Sequence, residues 1–151
     1  MAIVRRFKVE DLGRVMDICE VSFEERYTAE FFLSCFEANF DHFLVAEEGD
    51  VVGVVLGIGY FNSLGRILIL AVDRGFRRRG IGKALIEAVL KSYMASGISE
   101  IRLEARVSNR IALALYGKFG FKIAGRTRNY YIDGEDALLL SKSLPSVSVL
   151  D

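Results

Sequence analysis

The sequence predicts an α/β fold: one domain on a mixed, mostly antiparallel sheet of about seven strands flanked by about four helices. Three observations predict it. A chain of 151 residues is the size of one domain and can bury a full core. Stretches of apolar period two are interleaved with stretches of helical period along its whole length. Residues 66–107 read strand, helix, strand, which calls for a right-handed crossover between two parallel strands.

The elements follow in order. Residues 2–6 form a short first strand. Over 10–23, Leu12, Val15, Met16, Cys19 and Phe23 recur at helical spacing. Thr28 can cap a second helix with Phe31, Phe32, Cys35 and Phe36 on its inner face. Strands 43–47 and 51–60 are joined by Glu-Gly-Asp, a hairpin signal. Residues 66–72, RILILAV, are apolar on both faces and predict a buried central strand. After a turn over 73–79, a helix runs over 80–96 with Ile81, Ala84, Leu85, Ala88 and Val89 as its stripe. Glu87 and Lys91 pair on its outside, and Gly97 stops it. In 100–107, Ile101, Leu103, Ala105 and Val107 face one way and Arg102, Glu104 and Arg106 the other. Ser108 or Asn109 caps a short helix to about Lys118. Strands 121–128 and 136–141 complete the domain, 1–144, and 145–151 read as a tail.

Composition narrows the function. Lys plus Arg number 20 and Asp plus Glu number 20, so there is no basic surplus for direct nucleic-acid binding. One histidine and two cysteines offer no metal spacing, and Cys19 and Cys35 read as reduced core thiols. The opening MAIVRRFKVEDL has neither the apolar run nor the cleavage site of a leader, and no stretch is long enough to span a membrane. The expected compartment is the cytoplasm, with no membrane partner.

Positive charge is local instead. Residues 77–83 read RRRGIGK directly after the apolar strand. Arg74, Arg77, Arg78, Arg79 and Lys83 stand there against one nearby acid, Asp73. A helix N-terminus presents free N–H groups and the positive end of the helix dipole. Glycines at 80 and 82 let an anion reach the backbone with no Cβ in the way. Cations at that end oppose the dipole unless an anion compensates, so the turn points to a phosphate site rather than a solvated basic patch. Neither G-x-G-x-x-G nor G-x-x-x-x-G-K-[ST] occurs; the glycine pattern is R-x-x-G-x-G.

That pattern resembles the coenzyme A pyrophosphate loop of the GNAT acetyltransferase superfamily. Residues 103–121, LEARVSNRIALALYGKFGF, and 128–137, RNYYIDGEDA, resemble later blocks of its N-terminal protein acetyltransferase branch. The branch includes RimI-type ribosomal-protein alanine acetyltransferases and the catalytic subunits of N-terminal acetyltransferase complexes. The resemblance covers nearly the whole chain and implies a single-domain GNAT fold with acetyl-CoA as co-substrate. It implies that the backbone of Leu70, Ala71 and Val72 pairs with the pantetheine arm. It implies that Arg77, Arg78, Arg79, Gly80, Ile81, Gly82 and Lys83 surround the pyrophosphate. Asn109 would hold the pantetheine chain besides capping its helix, and Tyr116 would lie near the sulfur.

The implied chemistry needs a neutral amine. At pH 7 the neutral form costs about 1 kcal/mol for an α-amine and roughly 4–5 kcal/mol for a lysine. The resemblance makes Glu104 the base, acting directly or through a water, against a cross-strand ion pair with a nearby arginine. It makes Tyr116 the acid for the leaving thiolate, against an ordinary core-edge tyrosine. A backbone N–H at Val72 or its neighbour would stabilise the carbonyl oxygen, and neither cysteine matches a nucleophile motif. On the substrate side, Phe23, Glu25 and Tyr27 match the loop that holds the first residue in relatives, with Glu24 where they often carry proline. Tyr130 and Tyr131 would close the opposite wall and bond the peptide backbone, against merely packing the sheet edge. The expected function is acetyl-CoA-dependent N-terminal α-amino acetylation of proteins or peptides, by direct transfer in a ternary complex. Lysine or small-amine acetylation, and a non-catalytic acyl-CoA-binding subunit, are the alternatives.

Overall fold

The computed structural model describes residues 1–145; the end of the expected tail, 146–151, lies outside the described residues. A single sheet of seven strands organises the chain, in the order β1-β2-β3-β4-β5-β7-β6. The strands are β1 (Ile3–Arg6), β2 (Phe43–Glu48), β3 (Asp50–Gly59), β4 (Leu64–Val72), β5 (Glu100–Arg106), β6 (Lys122–Thr127) and β7 (Ala137–Ser143). Every pairing is antiparallel except β4 with β5, the parallel pair that the strand-helix-strand reading requires. The helices are α1 (Leu12–Ser22), α2 (Ala29–Asn39), α3 (Ile81–Ala95) and α4 (Arg110–Lys118).

Local chemistry sets the boundaries. A 3-10 turn at Val9–Asp11 precedes α1 because the Asp11 carboxylate accepts from the Lys8 amide and from Arg5. Thr28 caps α2 by accepting from the Phe31 amide at 3.1 Å. Gly49, at φ +79°, makes the β2–β3 turn, and Gly97, at φ +78°, ends α3 as expected. Apolar residues from both faces of the sheet form two cores. Val15, Ile18 and Cys19 of α1 and Phe32 of α2 cover one face; Leu85, Ile86, Val89 and Tyr93 of α3 cover the other. Among the described residues no helix is long and apolar enough to cross a membrane, and no group of three metal-ligand side chains occurs.

One expectation is corrected. The run over 66–72 predicts a strand buried on both sides, yet buried and half-buried residues alternate along β4. Its pairing with β5 covers only Leu64–Glu100, Gly65–Ile101 and Arg66–Arg102. Opposite, Leu56 of β3 pairs with Ile69 and Gly57 with Ile67, so Leu68 is an extra, unpaired residue. Such a bulge bends the strand and inverts the faces beyond it. Accordingly, Ile67 packs on the α3 face and Ile69 and Ala71 on the α1–α2 face. Past Arg66 the two parallel strands separate, and a cleft opens between them.

Candidate active site

The cleft encloses about 750 Å³. Its base is the β4 stretch from Arg66 to Leu70 and the Leu103–Arg106 stretch of β5. One wall comes from the α1–α2 loop, with Phe23, Glu25 and Tyr27; the other comes from the β6–β7 loop, with Tyr130 and Tyr131. Asn109 and Tyr116 close the α4 side. The structure therefore brings together Leu70, Glu104, Asn109, Tyr116 and both expected substrate walls. Ala71, Val72 and the 77–83 turn do not line this space; they lie further along β4 and at the start of α3.

Glu104 sits on β5 with its Oε2 accepting from Arg66 Nη2 at 2.6 Å. The same Arg66 nitrogen donates to the Tyr130 hydroxyl at 3.0 Å. Arg66 Nε is buried with no partner among the described residues. The cross-strand ion pair left open by the sequence is thus present, and it uses one carboxylate oxygen: Oε1 makes no hydrogen bond among the described residues. Tyr116 is buried, with its ring edge-on to Phe121 at 5.7 Å, and burial pushes its pKa well up. It is a core residue and a cleft residue at once. Asn109 caps α4, its Oδ1 accepting from the Ala112 amide at 3.2 Å, and its side-chain amide nitrogen has no partner among the described residues.

The walls are built differently. Tyr27 packs among Phe23, Phe31 and Phe32 with ring centroids 5.2–6.1 Å apart, so it anchors its loop to the core. Tyr130 and Tyr131 stand edge-to-face at 5.0 Å, and burial pushes the Tyr131 hydroxyl up to about 12. Arg106, two residues past Glu104 on the same face of β5, pairs with Glu24, Glu25, Asp133 and Glu135 and lies 4.1 Å over the Tyr131 ring. Sequence reading missed Arg66 and Arg106 as site residues. The available signal was the run of charge on one face of β5 (Arg102, Glu104, Arg106), facing a strand with one arginine at its start.

At the turn, Gly80 adopts φ +79° and leads into α3 with no side-chain cap. Among the described residues the amides of Ile81, Gly82 and Lys83 find no acceptor. A Cβ at Gly82 would stand in ordinary contact with Leu115 at 3.5 Å, and its absence leaves the backbone at this helix start less covered. Arg78 adopts φ +66°, rare for a residue with a Cβ, two residues before the left-handed Gly80. The charge map differs from the expected one. Asp73 is bound by Arg14 of α1 and accepts from the Gly75 amide at 2.9 Å, so its charge is shared with α1 instead of being held for the turn alone. Arg79 pairs with Glu48 at 3.1 Å, and Arg77 Nε donates to the Val72 carbonyl at 3.2 Å. Arg74, Arg78 and Lys83 have no acidic partner among the described residues. Uncapped amides and unpaired cations at one helix start fit a diphosphate.

The profile described as the acetyltransferase (GNAT) family matches residues 10–121. A putative [ribosomal protein bS18]-alanine N-acetyltransferase of Bacillus subtilis is 32% identical over 141 residues, covering 92% of this chain and 93% of that protein. The crystal structure of Ard1 from Thermoplasma volcanium superposes with a TM-score of 0.91 at 34% identity, covering 96% of this chain and 99% of the other. Arabidopsis thaliana Naa50, solved in complex with the bisubstrate analogue CoA-Ac-MVNAL, is similar with a TM-score of 0.84 at 25% identity over 95% of this chain and 99% of the other.

Proposed function

Because the chain belongs to the GNAT acetyltransferase family, we propose that its cleft acetylates the free α-amine of a protein or peptide N-terminus, with acetyl-CoA as co-substrate. The observation that carries this reading is the gap between β4 and β5. It runs from two substrate-sized walls past a half-free carboxylate toward an uncapped helix start.

Acetyl-CoA supplies a thioester whose carbonyl is open to attack by an amine. The chain's own residues do the rest. The amides of Ile81, Gly82 and Lys83, with Arg78 and Lys83 beside them, bind the diphosphate. Past the end of its pairing with β5, the flank of β4 at Leu70–Val72 offers to the pantetheine arm the backbone groups that Arg77 leaves open, and the free amide nitrogen of Asn109 donates to it. Glu104 takes the amine's proton on Oε1, directly or through one water, while Arg66 fixes Oε2. Tyr116 keeps its proton and donates a hydrogen bond to the leaving sulfur. Phe23, Glu25 and Tyr27 receive the first residue, and Tyr130 and Tyr131 hold the following backbone from across the slot. The Tyr130 hydroxyl accepts from Arg66 and keeps its own proton to give.

An α-amine suits this site because its neutral form is about 3–4 kcal/mol more accessible at pH 7 than that of lysine. The test is acetyl transfer to paired peptides, one with a free N-terminus and one with the N-terminus blocked and an internal lysine. Transfer confined to the free amine is expected; equal transfer to the blocked peptide would replace this reading with lysine acetylation.

A further inference from the structure

Resting on the reading of the cleft as a peptide slot, we propose that Arg106 is the positioning residue that sets the slot's width. Because β4 and β5 separate beneath it, no ladder of backbone bonds joins the two walls. Among the described residues, Arg106 is the one side chain that makes ion pairs with both wall loops. A guanidinium suits the task, since its donors lie in a rigid planar fork.

The two ends of this tie are unequal. Toward the β6–β7 loop, Nη1 lies 3.0 and 2.9 Å from the two Asp133 oxygens and 2.9 Å from Glu135, and the guanidinium rests on the Tyr131 ring. Glu135 in turn accepts from the Ser108 amide at 2.9 Å, next to the Asn109 cap. That end is an anchor. Toward the α1–α2 loop, Nη2 lies 3.5 Å from Glu25 and 3.9 Å from Glu24. That end is a loose latch, one that tightens or releases as a peptide passes. Without Arg106, the four carboxylates of Glu24, Glu25, Asp133 and Glu135 face one another across the slot and drive the walls apart. The Arg106 side chain is 22% exposed, as are Glu25 and Glu135 to a similar degree, while Glu24 and Asp133 stand further out in solvent, so screening weakens those two contacts most.

The experiment compares wild type with Arg106→Gln and with Asp133→Asn, which removes part of the anchor and keeps the arginine. Two readouts are used: steady-state kinetics on a short alanine-initiated peptide, and hydrogen exchange of the 24–27 amides. For Arg106→Gln the peptide KM should rise about tenfold, while kcat and the acetyl-CoA KM stay within about twofold. The loop amides should exchange faster in both variants, less so in Asp133→Asn, and this variant decides the matter if Arg106→Gln does not fold. Unchanged loop exchange, an unchanged peptide KM, or an acetyl-CoA KM that rises in parallel would overturn the proposal. Exchange needs no substrate. A wild-type protein that acetylates no peptide would therefore defeat the functional reading, while the exchange data still decide the tie.

Discussion

Arg66 and Glu104 meet at 2.6 Å where β4 leaves β5, and the contact engages only one oxygen of the carboxylate. The carboxylate is thereby held in one rotamer while its second oxygen stays available to take a proton. Glu104→Gln keeps the shape and removes the proposed base, so kcat should fall about 10²–10³-fold. Coenzyme A affinity, which the proposed reading assigns to the turn and the flank of β4, should change by less than about twofold. Single-turnover kinetics and calorimetry with coenzyme A check the two halves separately. A kcat near wild type would reduce Glu104 to a structural partner of Arg66.

Tyr116 gives a prediction in pH. Burial raises its pKa above the ordinary tyrosine value, so it releases its proton only at higher pH than a free tyrosine. A hydrogen-bond donor that stays protonated produces no alkaline decline in kcat/KM below about pH 10. The rising limb belongs to the substrate amine and should sit near pH 8, roughly the α-amine range. Tyr116→Phe should lower kcat about ten- to hundredfold without moving that limb. A pH profile of both proteins would show it; an alkaline limb present in wild type and lost in Tyr116→Phe would contradict the assignment.

The elements of the fold were legible because local rules determine them. Thr28 and Asn109 cap the helices that follow, Gly97 ends α3, and the strand-helix-strand order makes β4 and β5 parallel. The cleft was not legible, because it depends on the bulge at Leu68. In RILILAV every neighbour of Leu68 is apolar, so no change of side-chain polarity marks the inversion of faces. The ion pairs were hidden for another reason. Arg66 reaches a partner 38 residues away, Arg14 one 59 residues away and Arg106 one 81 residues away, and charge alone does not select among many candidates. The turn at 77–83 needed no such information, since its glycines and cations are consecutive.

Tyr93 governs the origin of the cleft from below. Its hydroxyl lies 3.1 Å from the carbonyl oxygens of both Ile58 and Arg66, tying α3 to the two strands beside the bulge. The ring fits because Gly57 and Gly65 lack side chains. A Cβ at Gly65 would come within 2.8 Å of the ring carbon Cε1. Gly65→Ala must push the ring aside in a packed core and should lower stability by about 1–3 kcal/mol. The shift is measurable by urea unfolding, and a midpoint equal to wild type would mean that the ring yields freely.

Arg78 and Gly80 are both left-handed, at φ +66° and +79°, and opposite substitutions there should have opposite effects. Gly80→Ala places a Cβ in a conformation that L-residues disfavour by about 1–2 kcal/mol, and the thermal midpoint should fall. No atom lies within 4 Å of that Cβ, so the loss is backbone strain rather than collision. Arg78→Gly relieves the same strain but adds about 0.4–1 kcal/mol of chain freedom to the unfolded state, so the midpoint should stay level or rise slightly. Binding should move the other way: removing one of the unpaired cations beside the α3 amides should weaken coenzyme A several-fold, most at low salt, where screening is least. Thermal unfolding beside calorimetry at two salt concentrations separates the effects. A glycine variant that binds coenzyme A as tightly as wild type at low salt would show that the Arg78 charge does not face the diphosphate.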